Sequence, residues 1–278
     1  MIQLPKAYTQ EHQQLTLKYL AEGRRVLSSA EWKKLLTGFD VLHKASIITP
    51  TERMTFAEWY ERQIDRVFAE PFIAALLRLE NVAREQEALR ARFAREIVQT
   101  WTASELRQQE RSVGNVLMAY CLYFWESFAT GYAFEVEIYR DLRKEGIAFV
   151  AHDIRNRLAR FSAYDLKVLN LRGDIKTSLY FLEVERGRKL PHDFYITRFY
   201  EGSRQRTLVV MLQVEAWQQI DGETIAGLLA EATQHFPSPV AVTLPAGTVV
   251  IADYALWKQK VFQRQREEEE TDEKKNQA

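Results

Sequence analysis

Apolar residues recur at helical spacing through the first 130 positions and fall into strand-like runs afterwards, which predicts a helical region followed by an α/β domain. Thr9–Leu20 predicts a helix that ends at Gly23. Ser29 is placed as the N-cap of a short helix with Trp32, Leu35 and Leu36 on one face. After a break at Thr49-Pro50-Thr51, Thr55 is expected to cap a helix carrying Phe56, Trp59, Ile64, Val67 and Phe68. Pro71 should interrupt or kink it. Phe72 to about Trp101 reads as one long helix whose second half is charged, and Ser104 and Gln108 open another that runs into the aromatic stretch Tyr120–Phe128.

The pattern changes at Gly131. A helix over Tyr132–Glu145 should end on Gly146, which suits the C′ position. Strands are predicted at Ile147–His152, Ala163–Leu169, Ile175–Val184, Phe194–Tyr200 and Thr207–Val214. A helix at Thr224–His235, short strands at Val240–Leu244 and Thr248–Ile251, and a last helix from about Asp253 complete the order. Beyond residue 262 apolar residues disappear, so 263–278 is expected to be a charged disordered tail. The expected class is α/β, or α+β by content: residues 1–130 helical, residues 131–262 a mixed-sheet α/β domain.

Composition narrows the setting. With 46% hydrophobic and 27% charged residues the chain is globular, and a net charge of zero gives no global bias towards nucleic acid. The single cysteine, Cys121, excludes an intramolecular disulfide and fits a reducing compartment, so a cytoplasmic location is expected. The N-terminal stretch lacks the apolar core of a secretory signal. The most apolar helical run, Val113–Phe134, is interrupted by Asn115, Glu126 and Ser127, which suits a buried helix and argues against a membrane partner.

The candidate chemistry gathers in Phe161–Val184, read as two strands joined by a tight connection. Successive strand side chains point to opposite faces, so Asp174 and Lys176 share one face. Asp165 joins them if the connecting loop has an even number of residues. On the preceding helix Phe134, Ile138 and Leu142 set the apolar face, and Glu135 falls on that buried side while Glu137 falls away from it. A carboxylate aimed inward is costly unless paired, hydrogen-bonded or bound to a metal.

Helix with Glu135, Gly146, a strand, a strand with Asp165, then a strand with Asp174-Ile175-Lys176: this order resembles the PD-(D/E)XK nuclease superfamily, whose fold is restriction-endonuclease-like. The resemblance covers roughly residues 131–214. It implies a metal-dependent phosphodiesterase acting on nucleic acid, with DNA the expected substrate. Asp165 and Asp174 would coordinate Mg²⁺ or Mn²⁺ with the backbone carbonyl of Ile175, Glu135 would hold a water or a second ion, and Lys176 would orient the attacking water or neutralise charge on the phosphate. Tyr164 stands where the motif name has Pro, and Asp174 is the shorter of the two permitted acids.

The spacing leaves two turns open. A turn at Leu169-Asn170 sets Asp165 opposite Asp174, whereas one across Asn170–Gly173, which has the better turn composition, slides Asp165 towards Ser178. From Arg140 to Arg206 there are 15 Lys and Arg against 9 Asp and Glu, a difference of +6. Arg155, Arg157, Arg160, Arg172, Arg188 and Lys189 are the candidates within it for nucleic-acid contacts. Blander readings stand beside these: a charge ladder for Asp174 and Lys176, a structural role for His152 and His192, and Glu183-Val-Glu185 as a rival acidic strand. The functional alternatives are a catalytically inactive binding or assembly module of the same fold, and a helical scaffold with partners on residues 1–130, through which a homodimer could also form.

Overall fold

Four helices in the first 130 residues begin where a side chain holds their first N–H groups. The computed structural model describes residues 4–48, 53–103, 110–156, 162–178, 190–201, 204–213, 215, 239–244 and 247–276. In α1 (Gln10–Glu22), α2 (Ser29–Lys44) and α3 (Phe56–Tyr60) the caps are Thr9, Ser28 and Thr55, each answered by the residue three positions on, His12, Glu31 or Glu58. Ser28, one residue before the expected Ser29, therefore caps α2, because Glu31 reaches back to its N–H at 2.8 Å. A short antiparallel pair not anticipated from the sequence, β1 (Ser46–Ile48) and β2 (Arg53–Thr55), separates α2 from α3.

A π-helical stretch, Glu61–Asp65, leads into α4 (Arg66–Leu76), which carries Pro71 internally. The single helix expected from Phe72 to Trp101 is instead divided, since α4 stops at Leu76 and α5 (Val82–Ala103) starts afresh. Asn81 makes the new start: its side chain accepts from the Arg84 N–H at 3.1 Å, and Glu85 accepts from its own N–H at 2.7 Å. The core of this region is aromatic, with Phe39, Phe56, Phe72, Tyr120 and Trp125 fully buried. The expected Ser104/Gln108 helix start lies outside the described residues.

The chain divides into two compact units, Met1–Thr130 and Gly131–Ala278, and the division falls within one continuous helix, α6 (Arg111–Lys144). At the end of α6, Gly146 adopts φ 71°. Its N–H donates to Arg143 O at 3.1 Å, and Ile147 N–H donates to Leu142 O at 3.0 Å. Those two bonds form a Schellman turn that aims the chain into the sheet.

The second unit is mixed α/β. Its sheet has the order β3-β4-β5-β6-β7-β9-β8, formed by β3 (Val150–Ala151), β4 (Leu166–Val168), β5 (Leu171–Lys176), β6 (Phe194–Glu201), β7 (Arg204–Gln213), β8 (Val240–Leu244) and β9 (Gly247–Asp253). The pair β5–β6 is parallel and the other described pairs are antiparallel. The stretch expected to be a disordered tail continues α7 (Tyr254–Asn276) as far as Asn276. Trp257 of α7 packs on Phe194 of β6 with ring centroids 5.4 Å apart, and Lys258 bonds Asp141 of α6 at 2.6 Å. The expected helix at Thr224–His235 and the acids Glu183 and Glu185 lie outside the described residues. Among those described, no helix is long and apolar enough to cross a membrane.

The β4–β5 hairpin settles between the two turns. Leu166 pairs with Gly173 and Val168 with Leu171, leaving Leu169 and Asn170 as a two-residue turn with φ 48° and 63°. Positive φ at both central positions is the hairpin geometry that matches strand twist, and Asn tolerates it where Leu is strained. Burial explains the choice of register. Leu166, Val168, Leu171, Gly173 and Ile175 are all buried in it, and a turn across Asn170–Gly173, though it keeps the same side chains on each face, would put Leu171 in the turn itself.

Candidate cation site

Three strands bring one row of side chains together. Val150 pairs with Lys167 and Ala151 with Leu166, so the next residue, His152, comes level with Asp165. Its N–H donates to Asp165 O at 3.2 Å. By the β4–β5 register Asp165 is in turn level with Asp174, and Asp165 N–H donates to Gly173 O at 3.0 Å. His152, Asp165 and Asp174 therefore form a line across the start of β4 and the middle of β5.

Glu135 completes the group from α6. Its Oε2 lies 3.5 Å from His152 Nε2 and has no hydrogen-bond partner although buried. His152 Nδ1 lies 3.7 Å from Asp165 Oδ1. Ligand atoms of Glu135, His152 and Asp165 all fall within 4.8 Å of one another. Asp165 is fixed in place, its Oδ2 accepting the Ile175 N–H at 2.7 Å while the Tyr139 hydroxyl donates to its carbonyl at 2.9 Å. Lys176 Nζ sits 2.7 Å from Asp174 Oδ2, with the lysine side chain 42% exposed and the aspartate 10%. His192, just before β6, brings Nε2 to 3.6 Å from the same oxygen.

The structure thus brings Glu135, Asp165, Asp174 and Lys176 to one place. Arg172 lies on the same face of β5 as Asp174 and Lys176, exposed to solvent, while Arg155 is exposed in the loop after β3. Arg157, Arg160, Arg188 and Lys189 lie outside the described residues. Reasoning from sequence did not place the two histidines here. His152 becomes legible only through the β3–β4 register, and His192 has no spacing signal at all.

Crowded acids in a poorly solvated place resist ionisation. Burial, reinforced by Asp165 and Asp174, pushes the Glu135 carboxyl well up, with Lys176 opposing. Burial and the hydrogen bond to Asp174 raise Asp165 from 3.8 to about 8, against the Ile175 N–H. Burial lowers both His152 and His192, which favours neutral imidazoles. Between the ordinary Asp value and about 8 the folded protein holds a proton at Asp165 that the unfolded chain has released. Stability in a chelator should therefore fall as pH rises through that window. Thermal melts in EDTA should give a lower Tm near pH 8.5 than near pH 5. A divalent cation at ~100 times its Kd should restore ~5–10 °C at the higher pH and less at the lower. Equal Tm values under all four conditions would contradict the site's electrostatics.

The donors suit a hard or borderline divalent cation. Three carboxylates supply anionic oxygens, and Glu135 Oε2 and both His152 ring nitrogens are buried without hydrogen-bond partners. Compared with known proteins, the chain matches no family model, no curated protein and no solved structure.

Proposed function

We propose that the second unit is a metal-dependent phosphodiesterase that hydrolyses nucleic acid, DNA in the first instance, on a restriction-endonuclease-like core. The observation that carries this reading is the convergence of Glu135, Asp165 and Asp174 with the half-exposed Lys176. Support comes also from the order of parts: a helix bearing Glu135, a strand, a strand entered at Asp165, and a strand carrying Asp174-Ile175-Lys176 in a mixed sheet. Mg²⁺ or Mn²⁺ held by Asp165, Asp174 and Glu135 would supply Lewis acidity to the phosphoryl group and lower the pKa of water at the site.

The chain's own groups do the rest. Lys176 is anchored by Asp174 yet open to solvent, so its ammonium can meet a phosphate oxygen and stabilise negative charge as it grows. Glu135, lacking a partner at Oε2, can accept a hydrogen bond from the attacking water. Ile175 N–H holds the Asp165 carboxylate in orientation. Lys167, paired with Arg172 across the hairpin, shares the face of Asp165 and adds cationic groups that suit a phosphate backbone.

The experiment is cleavage of end-labelled single- and double-stranded DNA and RNA by the full chain, with Mg²⁺, Mn²⁺ or EDTA. Cleavage that needs the cation and falls at least ~10²-fold in Lys176→Met supports the proposal. No cleavage of any substrate with either cation, from a folded preparation, overturns it.

A further inference from the structure

His152 belongs to none of the acid and lysine positions that carry the proposed reaction, yet it occupies the middle of the site. Its side chain is only 6% exposed, and neither ring nitrogen has a hydrogen-bond partner. One nitrogen faces Glu135 and the other faces Asp165. An imidazole enclosed to this degree ordinarily satisfies at least one nitrogen. Here each nitrogen faces a carboxylate oxygen beyond bonding distance, and the backbone of Tyr164 and Asp165 also lies close enough to the ring to favour its charged form against burial. The backbone N–H of His152 is tied to Asp165 O in the sheet, which fixes where the side chain starts, and Tyr139 lies edge-on to the ring at 6.4 Å between centroids.

Resting on the cation-dependent reading above, we infer that His152 is a nitrogen ligand of this site, making it selective for a first-row transition ion such as Mn²⁺ over Mg²⁺. The chemistry is one of ligand type. Magnesium favours oxygen donors and gives up its waters reluctantly, whereas imidazole favours the borderline ions of the first transition row. A site of Glu135, Asp165 and His152 with atoms inside 4.8 Å is thus a mixed oxygen–nitrogen set. An all-oxygen site would need no such histidine at its centre. His192 stands beyond Asp174, 3.6 Å from it, and is assigned no ligand role.

Manganese is itself the probe. The EDTA-stripped full chain is loaded with Mn²⁺, affinity is read from the loss of the free-ion electron paramagnetic resonance signal, and Mg²⁺ affinity is read by competition. Wild type should bind Mn²⁺ at least ~10-fold more tightly than Mg²⁺, and His152→Gln should lose most of that preference while Mg²⁺ affinity stays within ~3-fold. Electron spin echoes from bound Mn²⁺ should show nitrogen modulation in wild type and in His192→Gln, and none in His152→Gln. The wild-type echo needs no variant, so a misfolded His152→Gln leaves the question answerable. An oxygen-only echo in wild type, modulation that vanishes with His192 instead, or an equal loss of both cations in His152→Gln overturns the inference. Nitrogen-coupled Mn²⁺ without cleavage would remove the phosphodiesterase reading and keep His152 as a ligand. Cleavage with oxygen-only Mn²⁺ would do the reverse.

Discussion

Asp165→Asn should make the protein more stable without cations and should abolish its cleavage of nucleic acid. In wild type the Asp165 carboxyl is pushed to about 8 by burial and by Asp174. An asparagine there keeps an oxygen to accept the Ile175 N–H, now bonded at 2.7 Å, and turns an amide donor towards Asp174. One buried charge is removed and no buried donor is orphaned. We expect a gain of ~1–2 kcal/mol above neutral pH in EDTA, of the size usual when a strained functional site is relieved. Activity should fall ~10³-fold, and added cation should no longer raise Tm. Asp165→Ala provides the contrast, because it leaves the N–H of the buried Ile175 without its acceptor at a cost of ~1–3 kcal/mol. Melting curves of the two variants in EDTA should shift in opposite directions. A joint shift to lower Tm would mean that Asp165 is a structural residue.

Gly173→Ala should be among the most damaging single-methyl additions in the second unit. A Cβ at this position would lie 2.1 Å from Phe194 Cζ, 2.2 Å from Cε2 and 2.7 Å from Cε1. The ring has nowhere to go: Phe194 is fully buried and packs on Trp257, which is fully buried as well. Overpacking of this kind costs roughly 3 kcal/mol or more, or about 6–12 °C in Tm. Since Gly173 precedes Asp174 directly, a displaced strand also moves the site, and residual activity should drop further than the folded fraction. Trimming the ring tests the cause. Phe194→Leu combined with Gly173→Ala should lose less than the sum of the single losses, as measured by chemical denaturation. A wild-type Tm for Gly173→Ala would show that the two residues do not press on each other.

Much of the site was readable from residues alone, and the limits of that reading are physical. Glu135 stood out because helical spacing put a carboxylate among Phe134, Ile138 and Leu142. Gly146 stood out because a C′ glycine ends a helix, and it does so here at φ 71°. Asp174 and Lys176 needed only strand alternation. Asp165 depended on register, and local turn composition pointed to Asn170–Gly173. Burial of Leu171, which the folded sheet provides, overrode that preference and put strain on Leu169 instead. His152 needed the register of two strand pairs in succession, and no short window of sequence contains that.

Outside the site the same division holds. Thr55 was legible as a cap, and the structure adds Glu58 as its partner. Asn81 was overlooked because the residues around it keep helical propensity and contain no Gly or Pro, although its bond with Glu85 starts α5. The last residues of α7 lack an apolar face yet remain helical, with Arg264 set beside Glu267 and Glu268. Pairs three and four positions apart stabilise a helix modestly and leave no trace in hydrophobic periodicity.

The most direct measurement is an anomalous difference map from crystals of the full chain soaked in Mn²⁺. A peak within roughly 2.0–2.6 Å of the carboxylates of Asp165 and Glu135 is the predicted result. A fully occupied ion elsewhere, with Glu135, His152 and Asp165 still gathered and empty, would contradict the account.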